Sequence, residues 1–291
     1  MVVAVGNFDG VHLGHAAVIK RACKEAFERG EKALVYTFEN HPRAFLGSDV
    51  NYIVSNEKRR DLIMNLGAGD VYFQRFDHEF CEKSPEEFIV FLQKKFMCDI
   101  MVCGADFRFG KNAQGHPENI KGVKVIIVPD VNVDGMKVSS SRIRALISSG
   151  NVEEANKLLG YVFSVRSIVV HGRHLGTELG FPTMNQRHVP GLILPSNGVY
   201  ATYVRCGSET FEGITNIGVR PSVETGGDIT VETFLLNASP DINLYGTEAE
   251  TFFIFRLRSE KKFESLEALS DQIKKDCSFV RDFFSKNEII L

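Results

Sequence analysis

The stretch Val2-Val-Ala-Val-Gly6-Asn7-Phe8-Asp9-Gly10-Val11-His12-Leu13-Gly14-His15 decides how the chain begins to fold. Four small apolar residues without polar alternation suit a strand buried on both faces, as in a parallel sheet. Two glycines break the run. From Leu13 to Arg29 the apolar residues Val18, Ile19, Ala22, Cys23, Ala26 and Phe27 then recur at helical spacing, and Gly30 follows as a stop. A strand, a glycine-rich turn and a helix open a doubly wound parallel α/β sheet, in which ligands sit at the carboxyl ends of the strands. The turn is therefore where a nucleotide is expected. Gly6 and Gly10 permit close backbone approach, and Gly14 keeps space clear between the imidazoles. His12 and His15, three apart on a first helical turn, aim the same way. With the free N–H groups of that helix they form a site for polyphosphate.

Outward from this unit the alternation continues. Ala33–Phe38, Val71–Phe73, Ile100–Cys103 and Val123–Val128 are short apolar runs, and Ser84-Pro85-Glu86-Glu87 reads as N-cap, N1 proline and capping-box acid of a helix through Phe96. After Gly150 the texture changes. Asn151–Leu159 is one more short helix. Val162–His171, Gly198–Arg205, Phe211–Ile217, Ile229–Leu236 and Thr251–Leu257 are then strand-like, with turn formers between them. Strands spaced this way predict a small antiparallel β-barrel. A last helix, about Ser265 to Phe284, carries an apolar side that suits covering it. The expected domains are residues 1–158 and 159–291.

The 291 residues suit two ordinary domains, and 44% hydrophobic with 24% charged content excludes a disordered chain. The charge sum of 34 minus 37, or −3, excludes a broadly basic nucleic-acid binder but leaves room for a local cationic pocket. No apolar run approaches the roughly 18 residues of a membrane span, and no signal peptide is visible. Six scattered cysteines without a CxxC pair read as thiols of a reducing cytoplasm, with Cys98 and Cys103 in strand core. The expected partners are small molecules, without nucleic acid or membrane, and the expected state is a monomer or weak oligomer.

A second motif strengthens the nucleotide reading. In Lys137-Val-Ser139-Ser140-Ser141-Arg142-Ile-Arg144, hydroxyls and cations stand at a helix start and suit the phosphates that leave as pyrophosphate. Together the histidine turn and this motif resemble the HxGH nucleotidyltransferases. More narrowly they resemble the adenylyltransferase half of the bacterial bifunctional riboflavin kinase/FMN adenylyltransferase (FAD synthetase) family. Thr37-Phe-Glu-Asn-His41-Pro42 and Val102-Cys-Gly-Ala-Asp106-Phe107-Arg108-Phe109-Gly110 match further segments of it, and Ser141 stands where Thr is usual. The resemblance implies in-line attack of the FMN phosphate on the α-phosphorus of ATP, releasing pyrophosphate. His12 and His15 would act at the α-phosphate, Ser139, Ser140 and Arg142 around the leaving group, with Mg²⁺ bridging oxygens. Asp9 is open between ribose, metal and loop support. His41 is a phosphate candidate, Asp106, Phe107 and Phe109 are flavin candidates, and Phe107 is equally a core candidate.

The second half resembles the riboflavin kinase barrel of the same family. Gly176-Thr-Glu-Leu-Gly180-Phe181-Pro182-Thr183-Met184-Asn185 matches its glycine-and-FPTAN signature, which implies that Thr183 and Asn185 hold the ATP magnesium. No GxxxxGK[ST] loop exists, so Gly172, Gly176 and Gly180 are the phosphate-loop candidates. Asn216-Ile-Gly218-Val-Arg220-Pro221, Val231-Glu232-Thr-Phe234 and Arg258-Ser-Glu260-Lys-Lys-Phe263 resemble its later segments. They imply Glu232 as the base that accepts the ribityl hydroxyl proton, with Arg220, Arg258 and Phe263 beside the flavin. Phe234 stands where the family usually has His, and Met184 where it has Ala. An alternative is therefore a barrel serving as a flavin-binding module without catalysis. A different HxGH nucleotidyltransferase is the other alternative, and it leaves the barrel motif without a purpose.

Overall fold

The apolar run at the N-terminus forms β1 (Val2–Val5), buried at every position. The structure, a computed structural model, describes residues 1–171, 181, 183–220, 228–239, 242–289 and 291, without the side chains of residues 219, 220 and 228. Two compact units divide the chain, Met1–Arg142 and Ile143–Leu291.

In the first unit, β1 is followed by α1 (Leu13–Phe27), β2 (Leu34–Phe38), α2 (Pro42–Phe45), α3 (Asn56–Asn65), β3 (Asp70–Gln74), α4 (His78–Cys81), α5 (Pro85–Phe96), β4 (Ile100–Gly104) and β5 (Lys124–Val128). The five strands form one parallel sheet of order β3-β2-β1-β4-β5. Successive residues of β1 face opposite sides and meet different helices. Val2 and Ala4 pack with Val18, Ile19, Ala22 and Ala26 of α1 and Ile63 of α3. Val3 and Val5 pack with Phe88, Ile89 and Leu92 of α5. Two covered faces explain why these strands show no polar alternation. The chain leaves β1 towards one edge and returns through β4 towards the other, so the carboxyl ends of β1 and β4 flank the switch point where a doubly wound sheet takes its ligand.

Local chemistry sets the helix ends. Ser84 and Glu87 form a reciprocal capping box before α5, with Pro85 at its first turn. His12 caps α1 through its ring nitrogen. A short hairpin, β6 (Asn132–Val133) with β7 (Met136–Lys137), then leads into α6 (Ser140–Ser148).

Beyond α6 come α7 (Val152–Leu159), β8 (Ser164–Val170), β9 (Thr183–Gln186), β10 (Gly198–Cys206), β11 (Glu209–Arg220), β12 (Asp228–Leu235), β13 (Glu248–Arg258) and α8 (Leu266–Lys286). The six strands close into a barrel of order β10-β11-β12-β9-β8-β13. Periodicity announced five of them. The sixth, β9, is only four residues long and too short to show a period of two. Inside the barrel, buried Thr202, Thr215 and Thr233 pass a hydroxyl ladder across three strands, each step 2.8 Å. On the outer face, Cys277, Val280 and Phe284 of α8 pack against Val199, Ala201 and Ile214, as the amphipathic pattern implied.

Candidate functional sites

In the first unit the turn after β1 is built for tight packing. Gly6 has no Cβ because one there would lie 2.9 Å from the Phe8 ring, and at Gly10 one would lie 2.8 Å from Ile53 Cδ1. The backbone is strained: Phe8 (φ 48) and Val11 (φ 37) occupy the left-handed region, an outlier for a β-branched residue. His12 Nδ1 accepts the His15 N–H at 3.2 Å, which leaves the proton of the neutral ring on Nε2. The two imidazoles are stacked, centroids 3.6 Å apart and 15° from parallel. A Cβ at Gly14 would come within 3.1 Å of the His12 ring, so the glycine is what permits that ring position. Phe8 meets His15 edge-on at 5.3 Å.

The serine motif reaches this turn. Ser140 Oγ donates to the Asp9 carbonyl at 3.0 Å, across 131 residues of sequence. Ser139 caps α6 by accepting the Arg142 N–H at 3.3 Å, while Ser141 is exposed. Arg142 Nη1 is buried with no hydrogen-bond partner among the described residues, an unmet donor on a cation. Asp9 is fully buried and its carboxylate accepts the Ile53 N–H at 3.0 and 3.3 Å. Of the roles open to it, this contact is loop support. Asn7 Oδ1 is buried without a hydrogen-bond partner among the described residues. His41 caps α2 by accepting the Arg43 N–H at 3.1 Å, and its ring meets Tyr52 at 5.7 Å.

At the end of β4, Asp106 accepts from Lys137 Nζ at 2.9 Å, and Lys137 also pairs with Asp130 at 2.9 Å. The hydrogen bonds that Lys137 Nζ donates to Asp130 and Asp106 push its ammonium above its usual range. Phe109 is buried in the core with Phe88, and half-buried Phe107 stacks on it at 5.5 Å, so both rings serve the core here. All six cysteines are free. Cys103 lies in β4, whereas Cys98, expected in the same strand, lies in the loop just before it; both are buried in the core, and burial pushes both thiols up to about 12.

In the second unit, strand register assembles the site. Glu232 of β12 pairs with Asn185 of β9 on one side and Asn216 of β11 on the other, and Phe234 pairs with Thr183. These residues share one face of the barrel wall, because partners in register point the same way. The buried Asn185 side chain donates through Nδ2 to the Thr183 carbonyl at 3.3 Å, which turns its Oδ1 away from that bond. Gly172, Gly176 and Gly180 lie outside the described residues, as does the Arg220 side chain. Arg258 is committed to buried Asp276 of α8, with Nε and Nη2 both 2.9 Å from Oδ2, and its guanidinium sits 5.9 Å from the Phe263 ring.

Several neighbours were given no site role in the sequence reading, although Phe181, Phe234 and Glu260 lie in its quoted segments. A cleft of about 360 Å³ on the outer face is lined by Phe181, Phe234, Lys274, Cys277, Ser278 and Arg281. Phe181 and Phe234 meet edge-to-face at 5.3 Å. Positions 274, 277, 278 and 281 follow helical spacing, and mixed cations and small polar groups on that stripe were the available signal. Glu260 is another: a Cβ at Gly218 would lie 2.6 Å from Glu260 Oε1 and 3.4 Å from Asn216 Nδ2, so both converge over the glycine. Nothing in the sequence pattern brings residue 260 to residue 218.

Fold and sites define a class: a doubly wound nucleotidyltransferase-type unit followed by a closed barrel that sets a carboxylate beside neutral oxygen donors. Comparison with known proteins narrows it. The FAD synthetase family model matches residues 1–142 and the riboflavin kinase family model matches residues 159–284. A bifunctional riboflavin kinase/FMN adenylyltransferase from Listeria monocytogenes is 35% identical, covering 99% of this chain and 93% of that one. Its counterpart from Bacillus subtilis is 34% identical, covering 98% and 92%. A crystal structure from Streptococcus pneumoniae, described as a macrolide-efflux protein, superposes with a TM-score of 0.90 at 30% identity, covering 96% of this chain and 93% of that one. Among the described residues no helix is long and apolar enough to cross a membrane. The chain belongs to the bifunctional riboflavin kinase/FMN adenylyltransferase family.

Proposed function

We propose that this chain phosphorylates riboflavin to FMN in residues 159–291 and adenylylates FMN to FAD in residues 1–158, with ATP as co-substrate of both steps. The observation that carries the adenylyl half is the Ser140 hydrogen bond to the Asp9 carbonyl, because it joins the pyrophosphate-side motif to the histidine turn. An FMN phosphate oxygen attacks the α-phosphorus, the bond to the bridging oxygen breaks, and pyrophosphate departs. No protein nucleophile takes part. His12 and His15 stabilise charge developing on the α-phosphate, and Ser139, Ser140 and Arg142 hold the leaving group. Among the described residues Arg142 Nη1 meets no acceptor, which leaves it a donor for that purpose. Asn7, whose Oδ1 is unmet, and His41 remain nucleotide candidates, and Asp106 a flavin candidate.

In the barrel, Glu232 accepts the proton of the ribityl 5′-hydroxyl as its oxygen attacks the γ-phosphorus, and ADP leaves. Thr183 and Asn185 would hold Mg²⁺. Their donors are hard, neutral oxygens, which suits a cation bound mainly by substrate phosphates. When bound, the cation neutralises phosphate charge. The aromatic pair Phe181 and Phe234 offers a wall for a flat ring system, and Phe234 in place of His makes its second ring apolar. The free thiols support a cytoplasmic setting. Incubation with riboflavin and Mg-ATP is expected to yield FMN first and FAD later by chromatography. Appearance of neither product sinks the proposal.

A further inference from the structure

Arg59, on α3, is fully buried yet belongs to no motif. Its guanidinium joins three segments. Nη1 donates to the Asn7 carbonyl at 2.9 Å, and Nη2 donates to the Phe38 carbonyl at the end of β2 and to Asn56 Oδ1. The Phe73 ring lies 5.0 Å from its central carbon. Burial pushes the guanidinium down, and the charge of Asp9 works against that. Asp9 in turn grips the Ile53 N–H. A cation removed from water is costly, and its retention here coincides with the strained Phe8 and Val11 backbone it underlies.

We propose that Arg59 is a positioning residue for adenylyl transfer. By holding the Asn7 and Phe38 carbonyls together it keeps the strained turn that aims His12 and His15, and the segment leading to His41, in one arrangement. The planar fork matters, since two carbonyls and an amide oxygen are reached at once. A lysine ammonium is a point donor on a shorter effective reach. The inference rests on adenylyl transfer in the first unit.

The test is Arg59→Lys in the full chain. FAD formation from FMN should lose about tenfold to a hundredfold in kcat. KM for FMN and the stoichiometry of ATP binding by calorimetry should stay unchanged, as should FMN formation from riboflavin. FAD formation close to that of the unaltered chain overturns the inference. So does a loss matched by an equal fall in ATP stoichiometry, which makes Arg59 scaffold alone. Absence of FAD from the unaltered chain strikes the functional assignment instead.

Discussion

The Ser140 hydroxyl donates to a backbone carbonyl of the histidine turn, so removing it takes away the contact that ties the two motifs together. Ser140→Ala is expected to slow FAD formation about tenfold, or ~1.4 kcal/mol of transition-state stabilisation. FMN formation should be unchanged, and rates for both products from one preparation check this. The buried thiols have a separate consequence for pH. Cys98 and Cys103 ionise near 9.0 when unfolded but only near 12 in the fold, because burial disfavours the thiolate. Below pH 9 neither state is ionised and the fold keeps its full stability. As pH climbs from 9 towards 12 the unfolded chain gains by releasing protons, so stability falls. Thermal melts between pH 8 and 11 should show a decline that Cys98→Ala and Cys103→Ala each lessen.

Among the elements, α8 does more than cover the barrel. Phe284 is buried against Tyr203, ring centroids 4.5 Å apart, and Asp276 fastens Arg258. Phe284→Ala should cost about 3–5 kcal/mol by cavity formation. Urea unfolding followed in the barrel reads that loss, and a cost below about 1 kcal/mol contradicts the packing role. Helices α1, α5, α6, α7 and α8 were legible in sequence because capping and periodicity are local: Ser84 with Glu87, Ser265 before Leu266, and the 3.6-residue stripe all act within a few residues, whereas α2, α3 and α4 were not read from it. β9 was not legible as a strand. Its four residues are ordered by β8 and β12 on either side, and pairing of that kind is long-range.

At the scale of the molecule, the two proposed catalytic sets fall in separate compact units, so their activities are expected to be separable. Glu232→Gln should abolish FMN formation and spare conversion of supplied FMN to FAD. His15→Ala should do the reverse. Equal loss of both activities in either variant contradicts two independent sites. By itself the sequence determined the strand–turn–helix opening, the α/β-then-barrel order, and the residue types able to handle phosphate, because propensity, capping and glycine-dependent turns are short-range effects. It also carried the family resemblance. Only the tertiary structure decided which distant groups meet: Ser140 on Asp9, Glu232 between Asn185 and Asn216, Arg59 beneath the histidine turn, and α8 against the barrel wall. Those contacts depend on strand register and on burial of charge, which are settled when separate segments pack and carry no signature in any one of them.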